Sequence, residues 1–220
     1  ATSGHARAQI LYYCAENLAA RSVEFAQRLS QMTGISAREA MREVEASLAR
    51  LFSYAAWADK YDGAVHNPLL RGVVLAMNEA IGTMGILCPD EAPLLSFVSL
   101  LAPAVAMGNR IVIVPSQTHP LAATDFYQVL ETSDLPAGVI NIVTGGRDGL
   151  AQTLAEHGNV ESVWYFGGEG GAAVEKASAG DLKRTWISGP VDWFDPAEGE
   201  GRQFLRQATQ VKNVWVPYGA

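Results

Sequence analysis

The residues best equipped for chemistry lie in one short stretch, Cys88-Pro89-Asp90-Glu91, where a thiol stands just before a pair of carboxylates. A thiol becomes a strong nucleophile only when its proton is removed, and Glu91 is the nearby group able to act as base. The plainer reading makes Cys88 a packing residue and Asp90 and Glu91 exposed loop acids, and it is the stronger of the two. Cys14 falls on an apolar helical stripe and reads as core. A glycine run, Gly167-Gly168-Glu169-Gly170-Gly171, offers a different chemistry, because glycine-rich turns at helix N-termini expose amides that bind phosphate. Glu169 at the positive end of such a helix opposes an incoming anion, so a structural strand-to-helix turn is favoured over a phosphate cradle. The two cysteines and four histidines lack zinc-ligand spacing, so no metal is expected. His119 and His157 read as solvated residues at helix ends.

These residues need a scaffold to position them. Leu11, Cys14, Leu18, Phe25, Leu29 and Met32 recur at helical intervals and predict one amphipathic helix ending near Gly34. Ser36 and Glu39 form a capping box for a second helix. Its stripe runs through Met41, Val44, Leu48, Leu51, Ala55 and Ala58, with Gly63 as a left-handed stop. From Gly72 to Cys88 the pattern turns β-branched and small, as a hairpin or bent pair of strands requires. Strands and helices then alternate. Strands are expected over Thr83–Cys88, Arg110–Val114, Val139–Val143, Glu161–Phe166 and Arg184–Ile187. Helices are expected from Pro93, after Pro120, over Asp148–His157 and around Val174. Continuous apolar strands such as IVIV are typical of parallel sheets covered on both faces, which predicts an α/β, Rossmann-like doubly wound sheet preceded by two long helices. The tail from Pro190 is rich in turns and acids before a strand, VKNVWV, that needs a neighbour in the hairpin, the main sheet or another subunit. Trp193, Phe194, Trp215 and Tyr218 are interface anchors or local core.

With 220 residues, 49% of them hydrophobic, the chain can bury a substantial core. Its formal charge of -7 and the absence of a long basic run argue against nucleic acid and against anionic lipid. The apolar stretch from Pro93 to Met107 is too short to span a bilayer and contains Pro103, so it reads as a buried helix. No secretory signal is apparent, and a cytoplasmic location is expected; the first residue, Ala1, suggests a processed chain or a cut domain.

Read in order, RAQILYYCAENLAAR, SYAAWADKYDG, LAPAVAMGN, IVIVPSQTHPL, DLPAGVINIVTG and GEGRQFLRQATQVKNVWV resemble consecutive segments of the aldehyde dehydrogenase superfamily. The closest likeness is to the degenerate second domain of the sixteenth aldehyde dehydrogenase family. The resemblance implies a sheet that binds NAD or NADP, an oligomerisation flap built from the hairpin and the C-terminal strand, and a catalytic domain inserted near Gly189. It also divides the chain into an N-terminal helical part (1–71), a hairpin with the Rossmann-like sheet (72–189), and a linker with the flap strand (190–220).

Against that pattern the chemical positions are altered. The family has an aromatic and an asparagine at Asp90 and Glu91; an ionised Glu91 cannot donate to a developing oxyanion. Lysine and glutamate that grip the cofactor ribose correspond to Val114 and Gln117, flanking Ser116, and the hydroxyls of the phosphate-facing turn give way to Phe166 and Gly168 beside Gly167. The general-base position near Trp186–Gly189 holds no carboxylate, and Ser188 is no substitute. The expectation is a non-catalytic domain with no cofactor of its own and an assembly role. Its partners are an NAD-dependent aldehyde dehydrogenase domain of the same polypeptide and further copies joined through flap strands. A nucleotide-binding sensor is the alternative.

Overall fold

The computed structural model describes residues 2–69 and 71–218; Ala1, Leu70, Gly219 and Ala220 lie outside the described residues. Three helices open the chain: α1 (Gly4–Ala20), α2 (Ser22–Thr33) and α3 (Ala37–Trp57). There follow β1 (Ala64–His66), β2 (Gly72–Ala80), β3 (Thr83–Leu87), α4 (Pro93–Ala106), β4 (Arg110–Val114) and α5 (Leu121–Glu131). Then come β5 (Ile140–Ile142), α6 (Arg147–Glu156), β6 (Ser162–Phe166), α7 (Gly171–Ser178) and β7 (Arg184–Ser188). Two short helices, α8 (Pro196–Gly199) and α9 (Arg202–Gln207), lead to β8 (Thr209–Pro217).

The main sheet is parallel, with order β5-β4-β3-β6-β7. Its direction of growth reverses between β3 and β6, where a crevice must open beyond the strand ends. Alternation along the strands feeds two cores. Trp164 and Phe166 of β6 join Met84 and Ile86 of β3 under α4 and α5, whereas Val163 and Tyr165 turn to α6 and α7. The fourteen residues of α4 are all buried, Pro103 among them, as expected of an apolar helix sandwiched between the sheet and α3.

Three expectations need correction. The helix predicted to reach Gly34 is two helices, broken at Arg21 (φ -110°, ψ 14°), whose guanidinium folds forward onto Glu24 at 2.6 and 2.9 Å. The break frees α2 to aim Phe25 at Phe126 of α5, a packing demand that no glycine or proline announces. Gly34 does terminate α2 in the left-handed region, at φ 79°. Gly63 is not a left-handed stop, since α3 ends at Trp57; a side chain at Gly63 would collide with the Ala76 carbonyl of β2. Finally, β2 and β3 form no hairpin. β2 lies in a separate antiparallel sheet of order β1-β2-β8, paired from Gly72 with Pro217 to Ala80 with Thr209. The tail strand therefore finds its neighbour in β2.

Between β7 and β8 the chain takes a short path that is knitted into the core. Trp193 (2% exposed) and Phe204 (1%) join Phe166, Trp164 and Trp186 in one aromatic cluster, with Trp186 and Phe204 centroids 5.1 Å apart. Buried Arg50 of α3 pairs with Glu200 and donates to the Trp193 carbonyl at 3.0 Å; Ser53 also donates to Glu200. Phe194 is half-buried beneath the Arg42 guanidinium, while Trp215 and Tyr218 are exposed. Of the four tail aromatics, then, Trp193 is core.

Candidate functional site

The crevice lies beyond the C-terminal ends of β3, β4 and β6; Ser116, Gln117, Gly167 and Gly168 lie on the loops that follow β4 and β6, whereas Val114 is packed into the core. The loop residues are engaged chiefly with one another. Asp90 accepts from Ser116 Oγ at 2.5 Å and from the Thr118 amide at 3.1 Å, tying the loop after β3 to the loop after β4. Burial pushes the Asp90 carboxyl up, but the donors from Ser116, Thr118 and Gln117 outweigh it and hold the group below the ordinary range. Ser116 Oγ also accepts the His119 amide at 2.9 Å, leaving it committed within the loop. Val114 is 1% exposed and faces the packing side of α6.

Arg147, the first residue of α6, reaches across the switch point. Its guanidinium donates to the carbonyls of Cys88 (2.5 Å), Gly167 (2.6 Å) and Phe166, at or just past the ends of β3 and β6. The same group stacks on the Tyr165 ring, 4.4 Å from its centroid, and the Arg147 amide donates to Gln117 Oε1 at 2.8 Å. Sequence reasoning passed over Arg147. One signal was available: it is the lone cation in the glycine-rich turn TGGRDG that follows a sheet strand.

The glycine turn after β6 is shaped by close approaches. Gly167 (φ 68°) and Gly168 (φ 89°) both adopt the left-handed region. A Cβ on Gly167 would stand 2.9 Å from Pro89, and one on Gly168 would stand 2.9 Å from the Tyr165 hydroxyl. That hydroxyl accepts the Gly170 amide at 3.2 Å, so a tyrosine from the preceding strand occupies the N-terminal end of α7.

Neither thiol sits in a setting that favours a thiolate. Cys88 is 1% exposed, and burial raises its pKa strongly against the weaker pull of Arg147. Cys14 is equally buried and is pushed up to about 11 by burial, which outweighs its hydrogen bond with Ser133. Glu91 is exposed on the loop, and at the end of β7 the residues Trp186, Ile187 and Ser188 supply no carboxylate. Among the described residues no group of His, Cys, Asp and Glu side chains could hold a metal ion, and no helix is long and apolar enough to cross a membrane. Beside the crevice a groove of about 750 Å³ opens between α6 and α7, floored by Ala151, Val174 and Tyr165.

The model of the aldehyde dehydrogenase family matches residues 1–189. A betaine aldehyde dehydrogenase of Bacillus subtilis (strain 168) is 31% identical over 185 residues, covering 83% of this chain and 38% of that protein. An aldehyde dehydrogenase of Agaricus bisporus is 31% identical over 164 residues, covering 72% of this chain and 33% of its own. Among solved structures, PnpE in complex with nicotinamide adenine dinucleotide superposes with a TM-score of 0.83 at 28% identity, over 87% of this chain and 40% of PnpE. The chain thus spans less than half the length of these relatives. Its α/β architecture with a five-stranded parallel sheet is theirs, and by sequence and fold alike the chain belongs to the aldehyde dehydrogenase family.

Proposed function

We propose that this chain is a non-catalytic aldehyde-dehydrogenase module that assembles with an active, NAD-dependent dehydrogenase domain of the same polypeptide and with further copies of itself. The observation that carries the reading is the path from β7 to β8. The resemblance puts a catalytic domain there, whereas this chain crosses by a segment anchored through Trp193, Phe204 and the Arg50–Glu200 pair. So well-packed a crossing supports a main sheet and a small sheet joined without an insert; it carries no cysteine, and the positions that the resemblance gives to the oxyanion donor and the general base hold Glu91 and the carboxylate-free Trp186–Gly189.

The crevice residues do not fit a dinucleotide. The ribose-gripping position is the buried Val114, the guanidinium of Arg147 is committed to three backbone carbonyls, and the Gly170 amide is taken by Tyr165. Glu169 and Asp148 set negative charge beside the starts of α7 and α6, where phosphate binding would need the opposite. Calorimetric titration of the folded chain with NAD and NADP is expected to show no saturable heat, and light scattering to show self-association or binding to an active dehydrogenase. Saturable dinucleotide binding would favour a nucleotide-sensing role, for which the groove between α6 and α7 offers room. A strict monomer with no affinity for a dehydrogenase partner would sink the assembly reading.

A further inference from the structure

At the end of the main sheet opposite the crevice, a second groove of about 730 Å³ opens where β3 and β4 begin, between α1, the end of α4 and the last residues of β2. Its wall is apolar: Ile10, Val105 and Met107 are buried, and Leu135 and Val139 continue the surface from the loop before β5. Two guanidiniums share the groove, Arg7 from α1 and Arg110 from the start of β4. Arg7 packs on the Gly108-Asn109 turn that leads to Arg110, its Cζ 3.4 Å from where a Cβ on Gly108 would stand. Arg7 Nε donates to the Ala106 carbonyl at 2.7 Å and Nη1 to the Thr2 carbonyl at 2.5 Å, which fixes the fork against the end of α4. Among the described residues Nη2 has no acceptor, and no carboxylate pairs with either guanidinium. The carboxylate in the lining, Glu79, is paired with Lys212 at 3.2 Å. Glu161 stands beside Gly82 but accepts the Thr83 amide at 2.6 Å, and Asp134 is exposed outside the lining. Burial holds the Arg7 guanidinium below its ordinary range, and no carboxylate opposes that pull. Arg7 is thus a partly buried cation whose counter-ion the chain does not supply.

We infer that this groove binds a monocarboxylate with an apolar tail, the carboxylate facing Arg7 and Arg110 and the tail lying along Ile10, Val105 and Met107. A planar carboxylate matches the guanidinium fork, and the tail covers an apolar wall that an inorganic anion would leave wet. The volume falls within the range of small-molecule sites. Because the whole chain carries a formal charge of -7, its diffuse field repels anions, so a preference for one has to arise at a local site. The inference goes beyond the assembly role and does not depend on it, because a module can assemble with this groove empty or filled.

Octanoate, 1-octanol and octylamine share one tail and differ in charge, while acetate and inorganic phosphate are anions without a tail; each is titrated calorimetrically into the full chain at low salt. Octanoate is expected to bind at least about tenfold more tightly than any of the other four, a gap consistent with a charge-assisted hydrogen bond partly screened by solvent. Arg7 also caps α4, so the variant of choice is Arg110→Gln, at an exposed position whose side chain makes no hydrogen bond among the described residues. It is expected to lower octanoate affinity about tenfold and to leave that of 1-octanol unchanged. Octanol binding as tightly as octanoate would remove the role of the guanidiniums, and acetate or phosphate matching it would remove that of the apolar wall. Either result, a preference for octylamine, unchanged octanoate binding in Arg110→Gln, or no saturable octanoate binding would overturn the inference. The NAD titration bears on the assembly reading alone and the octanoate series on this one, so the two fail separately.

Discussion

Glu43 of α3 is 3% exposed, and its Oε1 accepts the amides of Leu94 (2.8 Å) and Leu95 (3.2 Å) in the first turn of α4. A carboxylate on one helix thereby caps another whose own N-cap, Ala92, sits at φ 44° with no side chain able to serve. Glu43→Ala strands two buried donors and is expected to destabilise the fold by about 2–3 kcal/mol, read from urea unfolding. Burial pushes the Glu43 carboxyl up, and the two amide donors only partly oppose it. The folded state therefore holds the proton more firmly than the unfolded chain does. The resulting contribution to stability is fully present below the model-peptide value of 4.5 and is lost as pH rises through the higher folded value. Unfolding midpoints measured from about pH 4 to pH 8 should show this decline in the native chain and a flatter profile in Glu43→Gln. A milder effect belongs to Ser36, whose hydroxyl accepts the Glu39 amide while Glu39 accepts the Ser36 amide. Ser36→Ala should cost about 1 kcal/mol by the same measurement. The capping box was legible in the sequence because its two members are three residues apart; Glu43 was not, because its partners lie across the fold and nothing local marks a capping glutamate.

At the scale of elements, the crossing from β7 to β8 depends on a long-range anchor. Arg50 is 4% exposed and Glu200 about a quarter exposed, so removing the arginine leaves a half-buried carboxylate with Ser53 as its remaining donor and takes the guanidinium donor from the Trp193 carbonyl. Arg50→Ala is expected to destabilise by about 2–3 kcal/mol, below the range for fully buried pairs because Glu200 keeps contact with water. In a double-mutant cycle Glu200→Ala should cost far less in the Arg50→Ala background than alone; additive losses would show that the two residues act separately. The regular elements could be read in advance where one local signal suffices. IVIV is a continuous apolar run covered on both faces, and the all-buried α4 is too apolar to be anything else. Pairing was less accessible: β2 and β3 are separated by Ile81 and Gly82 alone, which looks like a hairpin turn, yet the chain there passes from one sheet to another. The crevice was half legible for a related reason. Family positions such as Val114 and Gly168 could be picked out one at a time, but the guanidinium that closes the space comes from Arg147, on a different connection.

The whole molecule is two sheets sharing one chain, and the smaller sheet faces outward. Val211, Trp215, Val216 and Tyr218 are exposed on or beside β8, and among the described residues no strand pairs with its outer edge. A long edge strand with exposed apolar side chains is a template for another strand. Trp215→Lys is accordingly expected to weaken self-association at least about tenfold in sedimentation velocity, while shifting the unfolding midpoint of the monomer by no more than about 0.5 kcal/mol. Unchanged association would place any interface elsewhere. The register of β2 against β8, from Gly72 with Pro217 to Ala80 with Thr209, also has a bearing on synthesis. β2 is made soon after β1, but its other partner, β8, is made only after every strand of the parallel sheet. Until β8 is made, one edge of β2 is open while the parallel sheet is already assembling. Prematurely terminated chains would carry that open edge permanently, making them the products most prone to aggregate and the natural targets of chaperones and proteases.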